Sequence, residues 1–125
     1  MSDLLYKKES YQIIGCCLKV HSTLGPGFKE IVYNDALELE FQKNGIPYFR
    51  EKNLRIGYNS HILKHGFDAD FIVFDSIVLE IKGAVKLHYE DFGQALNYLK
   101  ASKLKLALLV NFGEPSLRYK RIIST

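Results

Sequence analysis

The feature of this sequence that most constrains its fold is a short apolar run that contains two charges, Ile77–Lys82. Its branched residues are typical of a β-strand, in which successive side chains point to opposite faces of the sheet. Glu80 and Lys82 therefore share one face, while Leu79 and Ile81 point toward a core on the other. Burying an acid and a base in such a strand costs free energy unless the two are paired or bind a cation. The run predicts a buried strand that carries either an ion pair or a metal site.

A second acid, Asp70, lies in the preceding segment, and its position depends on the turn that joins the two strands. A three-residue loop at 74–76 would put Asp70 directly opposite Glu80, whereas a two-residue loop would send it to the other side of the sheet. Two adjacent carboxylates repel each other in an apolar setting, and hard oxygen ligands of this kind suit Mg²⁺ or Mn²⁺. Asp68 shares a face with Asp70 by alternation, so alternation does not decide which of the two acids would hold a metal.

The apolar pattern predicts the order of helices and strands. Helical spacing predicts helices over 9–24, 29–44 and 91–101, with Gly25-Pro26-Gly27 ending the first and Gly45 capping the second. Strands are predicted at 48–58, 61–74, 76–82, 104–112 and 117–123, with a turn at Asn59-Ser60 and the last strand at a sheet edge. The strand–helix–strand unit near the end favours a right-handed parallel crossover. The pattern predicts a single α/β domain over residues 1–125, with a mixed central sheet flanked by helices.

Composition limits the class of protein and the kind of partner. Hydrophobic residues make up 47% and charged residues 25% of the 125 residues, as in ordinary globular proteins. The longest apolar runs are too short to span a bilayer, and residues 1–10 carry acids and lysines where a signal peptide needs an apolar stretch, so we expect a cytoplasmic protein. The adjacent Cys16 and Cys17 suit neither a disulfide framework nor a zinc site. The net charge of +3 permits an anionic partner without requiring one.

Two short patterns resemble the motifs of a nuclease superfamily. The spacing of Asp70, Glu80 and Lys82 resembles the D…(D/E)-x-K signature of the PD-(D/E)XK nucleases. Gln94 and Tyr98, one helical turn apart, resemble the Q-x-x-x-Y motif that follows the catalytic strand in the RecB-like and phage-exonuclease branch.

A third pattern lies upstream, where Gly27 to Tyr33 reads G-x-x-E-x-x-Y with Glu30 as its acid. That motif names a family of short bacterial and archaeal proteins in the same superfamily. Other motifs of that family resemble residues 69–70, 80–82, 97–101 and 110–113 here, although Val110 stands where leucine is common. The resemblance extends from about residue 25 to residue 123, which is nearly the whole chain.

The resemblance implies a restriction-endonuclease-like domain of about five strands and a metal-dependent nuclease, with DNA the favoured substrate. By position in the motif it favours Asp70 over Asp68 as a metal ligand. Lys82 would orient or help deprotonate the attacking water and stabilise developing charge. Gln94 and Tyr98 would contact the nucleic-acid backbone or brace the site. The implied ligands of Mg²⁺ or Mn²⁺ are Asp70, Glu80, the carbonyl of Ile81, and Glu30 from the second helix.

Two groups of basic residues are further candidates for contacts with phosphates, and each also suits an ordinary solvated surface. Both lie in the last third of the chain. One consists of Lys100, Lys103 and Lys105, and the other of Arg118, Lys120 and Arg121.

Two other functions suit the same sequence. A non-catalytic nucleic-acid-binding or regulatory module could keep the nuclease fold and partner a larger protein, although three charges retained on one face argue against it. A structural homodimer could form through the edge strand at 117–123. The tripeptide Asp91-Phe92-Gly93 matches a kinase metal motif but lacks the accompanying loops, and His61 and His65 lie in a predicted strand; neither is interpreted as a site.

Overall fold

The computed structural model describes residues 5–124 as an α/β fold with one five-stranded sheet and one two-stranded ribbon. The elements, in chain order, are α1 (Lys7–Leu24), α2 (Glu30–Lys43), β1 (Tyr48–Leu54), β2 (Gly57–Tyr58), β3 (His61–Ile62), β4 (Phe67–Val73), β5 (Ile77–Lys82), α3 (Tyr89–Ser102), β6 (Leu106–Asn111) and β7 (Arg118–Ile123).

The main sheet has the strand order β1-β4-β5-β6-β7. Strands β5 and β6 run parallel and are joined through α3, whereas the other neighbours are antiparallel. The predicted fold class, a mixed central sheet flanked by helices, is confirmed. The last strand, β7, is an edge strand as predicted.

Two predicted strands are wrong in extent. The strand predicted at 48–58 ends as β1 at Leu54, and the strand predicted at 61–74 divides into β3 and β4. Between Leu54 and Phe67 the chain leaves the sheet and forms the ribbon β2–β3. The predicted turn at Asn59-Ser60 is confirmed, because these residues have φ of 46° and 68°, the pair of left-handed conformations that a type I′ hairpin turn requires.

The helix boundaries differ from the predicted ones by one or two residues. α1 begins at Lys7, two residues before the predicted start, and α2 spans Glu30–Lys43. α3 begins at Tyr89, where residue 91 was predicted. Its start is fixed by a cap, since the N–H of His88 donates to Oδ2 of Asp91 at 2.9 Å.

The hydrophobic core lies on both faces of the sheet. α1 and α2 cover one face, to which α2 contributes Tyr33, Leu37 and Phe41, three fully buried residues spaced four apart. α3 covers the other face through Ala95 and Leu99. Strands buried on both faces read as continuous apolar runs, which is why β5 and β6 are the most hydrophobic strands of the sheet. Within residues 5–124, no helix is long and apolar enough to cross a membrane.

Candidate active site

The β4–β5 hairpin brings Asp70 beside Glu80. Its innermost pair is Val73 with Ile77, so residues 74–76 form the three-residue loop that the sequence analysis required. The same register, continued past the last paired residues, sets Asp70 opposite Glu80. The two carboxylates therefore meet between neighbouring strands at the middle of the sheet.

The regular ladder is interrupted around Asp70 on both sides. Toward β5, the N–H of Asp70 donates to Oε1 of Glu80 at 3.3 Å, and the N–H of Ile81 donates to Oδ2 of Asp70 at 2.7 Å. Toward β1, the pairing passes over Glu51, whose φ of 54° is left-handed. Carboxylate oxygens thus accept the bonds that carbonyls would accept in a continuous ladder. The β4–β5 ladder therefore has a gap at Asp70 and Glu80, where it holds both acids.

Burial and mutual repulsion shape the titration of this carboxylate pair. Glu80 is only 8% exposed, and burial together with the Asp70 charge raises the pKa of Glu80 to about 8, against the lowering effects of the Asp70 N–H and of Lys82. Burial also raises the pKa of Asp70, and Glu30 raises it further, while the Ile81 N–H lowers it. Near neutral pH the pair therefore retains a proton, which reduces the repulsion between the two carboxylates. A bound cation would reduce this repulsion in place of the proton.

A divalent cation fits the donors of this site. Asp70 and Glu80 offer hard oxygens, which is the chemistry that Mg²⁺ and Mn²⁺ prefer. Asn34 of α2 is buried, its amide group lowers the pKa of Asp70, and its Oδ1 has no hydrogen-bond partner among residues 5–124. In the same described range, no group of three or more His, Cys, Asp or Glu side chains is placed to hold one ion. The pair Asp70–Glu80 is therefore the centre of the candidate site, and the charge of Glu30 acts on it from α2.

Glu30 approaches the site from the first turn of α2. Its Oε2 accepts a hydrogen bond of 3.0 Å from the N–H of Gly83, directly after β5. Tyr33 anchors this region, because its hydroxyl donates to the carbonyl of Gly25 at 2.7 Å and accepts from the N–H of Phe28 at 3.1 Å. The buried tyrosine of the G-x-x-E-x-x-Y pattern thus fixes the loop that precedes the acid.

Lys82 lies at the C-terminal end of β5, two residues after Glu80. Its Nζ is 3.8 Å from Oδ1 of Asp91, and both side chains are partly buried. The ammonium also lowers the pKa values of Asp70 and Glu80, so its charge acts at the carboxylate pair. Asp91, which the sequence analysis set aside as part of an accidental motif, both caps α3 and neighbours the candidate catalytic lysine.

Asn111 fixes the segment that follows Lys82. This fully buried side chain accepts from the N–H of Ala84 at 3.0 Å and donates to the carbonyl of Ala84 at 2.9 Å. The contact leaves no space for a side chain at Gly113, where a Cβ would lie 2.2 Å from the carbonyl oxygen of Ala84. Asn111 and Gly113 belong to the motif at residues 110–113 that the sequence analysis noted without assigning it a role.

Tyr98 faces the carboxylates from α3, whereas Gln94 is an exposed residue one turn earlier. Burial raises the pKa of Tyr98, and the charges of Glu80 and Asp70 raise it further. Its ring stacks on Phe67 with centroids 3.8 Å apart and planes 7° apart. Tyr98 therefore braces the start of β4 against the helix that covers the site.

The two predicted basic groups lie on α3 and β7. Lys100 and Lys103 are exposed at the C-terminal end of α3, and Lys100 comes two residues after Tyr98. In the second group, Arg121 donates to Oγ of Ser10 at 2.7 Å and to the carbonyl of Leu5 at 2.6 Å, so it joins β7 to the start of α1. The guanidinium of Arg121 is therefore engaged in contacts within the protein, and a phosphate contact by this group stays a prediction.

Of the two acids of β4, Asp70 is the one that is hydrogen-bonded at Glu80. Asp68 is exposed, and its Oδ1 accepts a hydrogen bond of 2.9 Å from Asn53 of the neighbouring strand. The alternation of side chains breaks between residues 69 and 72, because Ala69 and Ile72 pack on one face of the sheet and Phe71 and Val73 on the other. A cavity of about 930 Å³ lies elsewhere, between α1 and β7, and none of the candidate site residues lines it.

The fold and the site together define a class of protein. A mixed sheet carries Asp70 on one strand and Glu80 with Lys82 on the next, which is the arrangement that the D…(D/E)-x-K signature describes. A family model described as the PD-(D/E)XK nuclease superfamily matches residues 7–122. The chain belongs to this superfamily. A search of the curated proteins found no match.

Two crystal structures are similar to this fold. One is an alkaline exonuclease, LHK-Exo, from Laribacter hongkongensis, with a TM-score of 0.56 and 12% sequence identity, over 99% of this chain and 73% of that one. The other is SSO0001, with a TM-score of 0.57 and 20% identity, over 95% of this chain and 60% of that one. The chain therefore spans less than two thirds of the second protein's length. At these identities the similarity shows the fold.

Proposed function

We propose that the protein is a metal-dependent nuclease that hydrolyses phosphodiester bonds, with DNA as the favoured substrate. The observation that carries the proposal is the buried pair Asp70 and Glu80, held in the gap between β4 and β5 by backbone N–H groups, with Lys82 beside it. Membership of the PD-(D/E)XK nuclease superfamily supports the same reaction class. We assign the chain, as one domain over residues 1–125, to the G-x-x-E-x-x-Y group on the basis of Gly27, Glu30 and Tyr33.

The residues at the gap have distinct roles in this proposal. Asp70, Glu80 and the carbonyl of Ile81 would hold Mg²⁺ or Mn²⁺, which when bound polarises a phosphate and lowers the pKa of its water. Lys82 would orient the attacking water or help to deprotonate it, and would stabilise the charge that develops on the phosphate. The N–H of Ile81 holds the carboxylate of Asp70 in place.

The surrounding residues shape the substrate's approach. Glu30 adds negative charge near Asp70 and would help to hold the metal, while Gln94 and Tyr98 would contact the nucleic-acid backbone or brace the site. The exposed Lys100 and Lys103 would supply salt-dependent phosphate contacts along α3 rather than at the reacting phosphate. Association of the edge strand β7 with a second copy or a larger protein stays a prediction.

Cleavage of plasmid DNA, single-stranded DNA and single-stranded RNA tests this function. We expect cleavage with Mg²⁺ or Mn²⁺ and none with EDTA, and we expect faster cleavage of DNA than of RNA. The linear or nicked plasmid products, read on a gel over time, distinguish an endonuclease from an exonuclease. If a folded wild-type protein binds DNA but leaves every substrate intact with either metal, the non-catalytic binding module is the better description.

The contact between Lys82 and Asp91 predicts a modest kinetic effect. Asp91→Asn keeps an oxygen for the N–H of His88 but removes the charge beside the ammonium, so the helix should persist while the lysine is less well held. A partly exposed ion pair contributes up to about 1 kcal/mol, and we expect kcat to fall by up to about fivefold with little change in KM. Glu90→Gln is the matched control, because it removes a neighbouring exposed charge. Equal kinetics in the two variants would exclude a positioning role for Asp91.

A further inference from the structure

The segment from Lys52, near the end of β1, to Phe67, at the start of β4, carries the charge imbalance of the whole protein. From Lys52 to Phe67 the sequence has three of the 17 Lys and Arg residues and none of the 14 Asp and Glu residues, so the rest of the chain has 14 of each. The formal net charge of +3 therefore resides in this segment. Its basic residues are Lys52, Arg55 and Lys64, and His61 and His65 lie among them.

Residues 55–66, here called the arm, form an exposed ribbon. None of residues 57–65 is buried, and Tyr58 and Ile62 are 63% and 65% exposed. An isolated two-stranded hairpin that buries neither face gains little stability from packing. The apolar side chains of the arm are therefore not part of the hydrophobic core. The base is tightly fixed, since a Cβ at Gly66 would lie 2.1 Å from the carbonyl oxygen of Leu54.

The arm carries positive charge on both of its strands. Tyr58 pairs with His61, and the N–H of Leu63 donates to the carbonyl of Ile56 at 2.8 Å. Arg55 precedes and Lys64 follows this bonded pair, and both side chains are exposed. No acid within the arm balances these charges, so a bound anion would do so. The arm therefore has the charge arrangement of a surface built for a polyanion.

The arm extends from the end of the sheet that carries the site. β4 begins at Phe67, where the arm ends, and β5 runs antiparallel and finishes at Lys82, so both lie at the same end. Phe67 stacks on Tyr98, whose pKa is raised by the nearby carboxylates after the larger effect of burial. The tip at Ser60 is seven residue steps from Phe67, so the arm reaches at most about 23 Å from the sheet.

We propose that the arm lies in the major groove of duplex DNA while a phosphate of that duplex occupies the Asp70–Glu80 site, an inference that rests on the proposed nuclease function. The major groove of B-DNA is about 12 Å wide and admits a two-stranded ribbon, whose strands lie about 5 Å apart. Arg55 and Lys64 contact phosphates along the groove, and Tyr58 contacts base edges, while Ile62 lies on the opposite face of the ribbon. The corresponding groove of duplex RNA is too narrow for side chains to enter, so the arm selects DNA.

Binding without catalysis tests the proposal. The affinity for a 20-base-pair DNA duplex, an RNA duplex of the same sequence and the single DNA strand is measured by fluorescence anisotropy in EDTA at several salt concentrations. For Arg55→Ala/Lys64→Ala, two lost phosphate contacts should reduce the slope of log K against log salt by about 1.8 on duplex DNA, and by less than half of that on duplex RNA. Tyr58→Ser should weaken duplex DNA binding several-fold without changing the slope, and Ile62→Ser, on the opposite face, should change the affinity less.

Lys19→Ala/Lys43→Ala is the matched control, because it removes two exposed lysines of α1 and α2. Thermal unfolding of each variant verifies the fold, and removal of Arg55 and Lys64 should leave it unchanged or raise its midpoint. If the arm variants bind duplex DNA like this control, or lose RNA and single-strand binding equally, the arm proposal is wrong even where cleavage persists. A wild-type protein that neither binds nor cleaves any nucleic acid would instead overturn the nuclease function itself.

Discussion

Replacing Lys82 with alanine should reduce metal-dependent cleavage by about 10²–10⁴-fold, the range that a positioned acid–base group contributes. The ammonium lies at the end of β5, and its charge acts on both Asp70 and Glu80. Its loss removes the group that orients the water and balances the developing negative charge on the phosphate. Single-turnover cleavage with saturating Mg²⁺, measured beside DNA affinity in EDTA, isolates the chemical step, and affinity should change by only a few-fold.

Lys86→Ala provides the matched control for this experiment. Lys86 is an exposed lysine four residues farther along, in the loop between β5 and α3. It has the same charge and lies close to the site, so general attraction of the substrate is lost equally in both variants. If Lys82→Ala and Lys86→Ala cleave at similar rates, Lys82 contributes only to the electrostatic field and has no part in the reaction.

The architecture was predictable where periodicity is strong and local. Tyr33, Leu37 and Phe41 repeat at helical spacing and are all fully buried in α2, and the branched run Ile77–Lys82 is β5. The arm was not recognised because its departure from the sheet depends on a contact between Leu54 and Gly66, which are distant in sequence. Alternation of side chains in a ribbon that buries neither face carries no information about where a sheet strand ends.

The candidate site was predictable to the extent that it depends on one hairpin. A three-residue loop was sufficient to set Asp70 opposite Glu80. Asp91 reaches Lys82 only through tertiary packing of α3, so local sequence gave no reason to consider it. Asn111 left a weak signal, since it is a polar residue in an otherwise apolar buried strand, whereas nothing in the local sequence marked Asn34.

The titration of Glu80 predicts how the stability of the metal-free protein depends on pH. Unfolding returns the carboxyl group to its ordinary pKa of 4.5, whereas in the folded protein the pKa is about 8. The folded protein therefore binds more protons than the unfolded chain between these values, and the free energy of unfolding falls as pH rises through that window. The full decrease is up to roughly 5 kcal/mol. Glu80→Gln should remove this decrease, so the free energy of unfolding should vary less with pH in the variant.

Glu80→Gln thus separates a metal site from a structural ion pair. Above pH 8 and in EDTA, the variant should be more stable than the wild type, because it no longer holds two buried charges side by side. An ion pair between Glu80 and Lys82 requires the reverse, a loss of about 3–5 kcal/mol when a buried charge loses its partner. Thermal and denaturant unfolding between pH 4 and 9 measures the difference.

Excess Mg²⁺ or Mn²⁺ completes the test, since a cation that binds only the folded state should stabilise the wild type by roughly 2.7 kcal/mol at a hundredfold excess over its dissociation constant. The same metal should have little effect on Glu80→Gln, which lacks one of the two central carboxylates. Glu40→Gln, a change of the same kind on α2 outside the site, should respond to metal as the wild type does. A wild type insensitive to metal, together with a Glu80→Gln variant destabilised in EDTA, would show that these charges hold the sheet together and bind no ion.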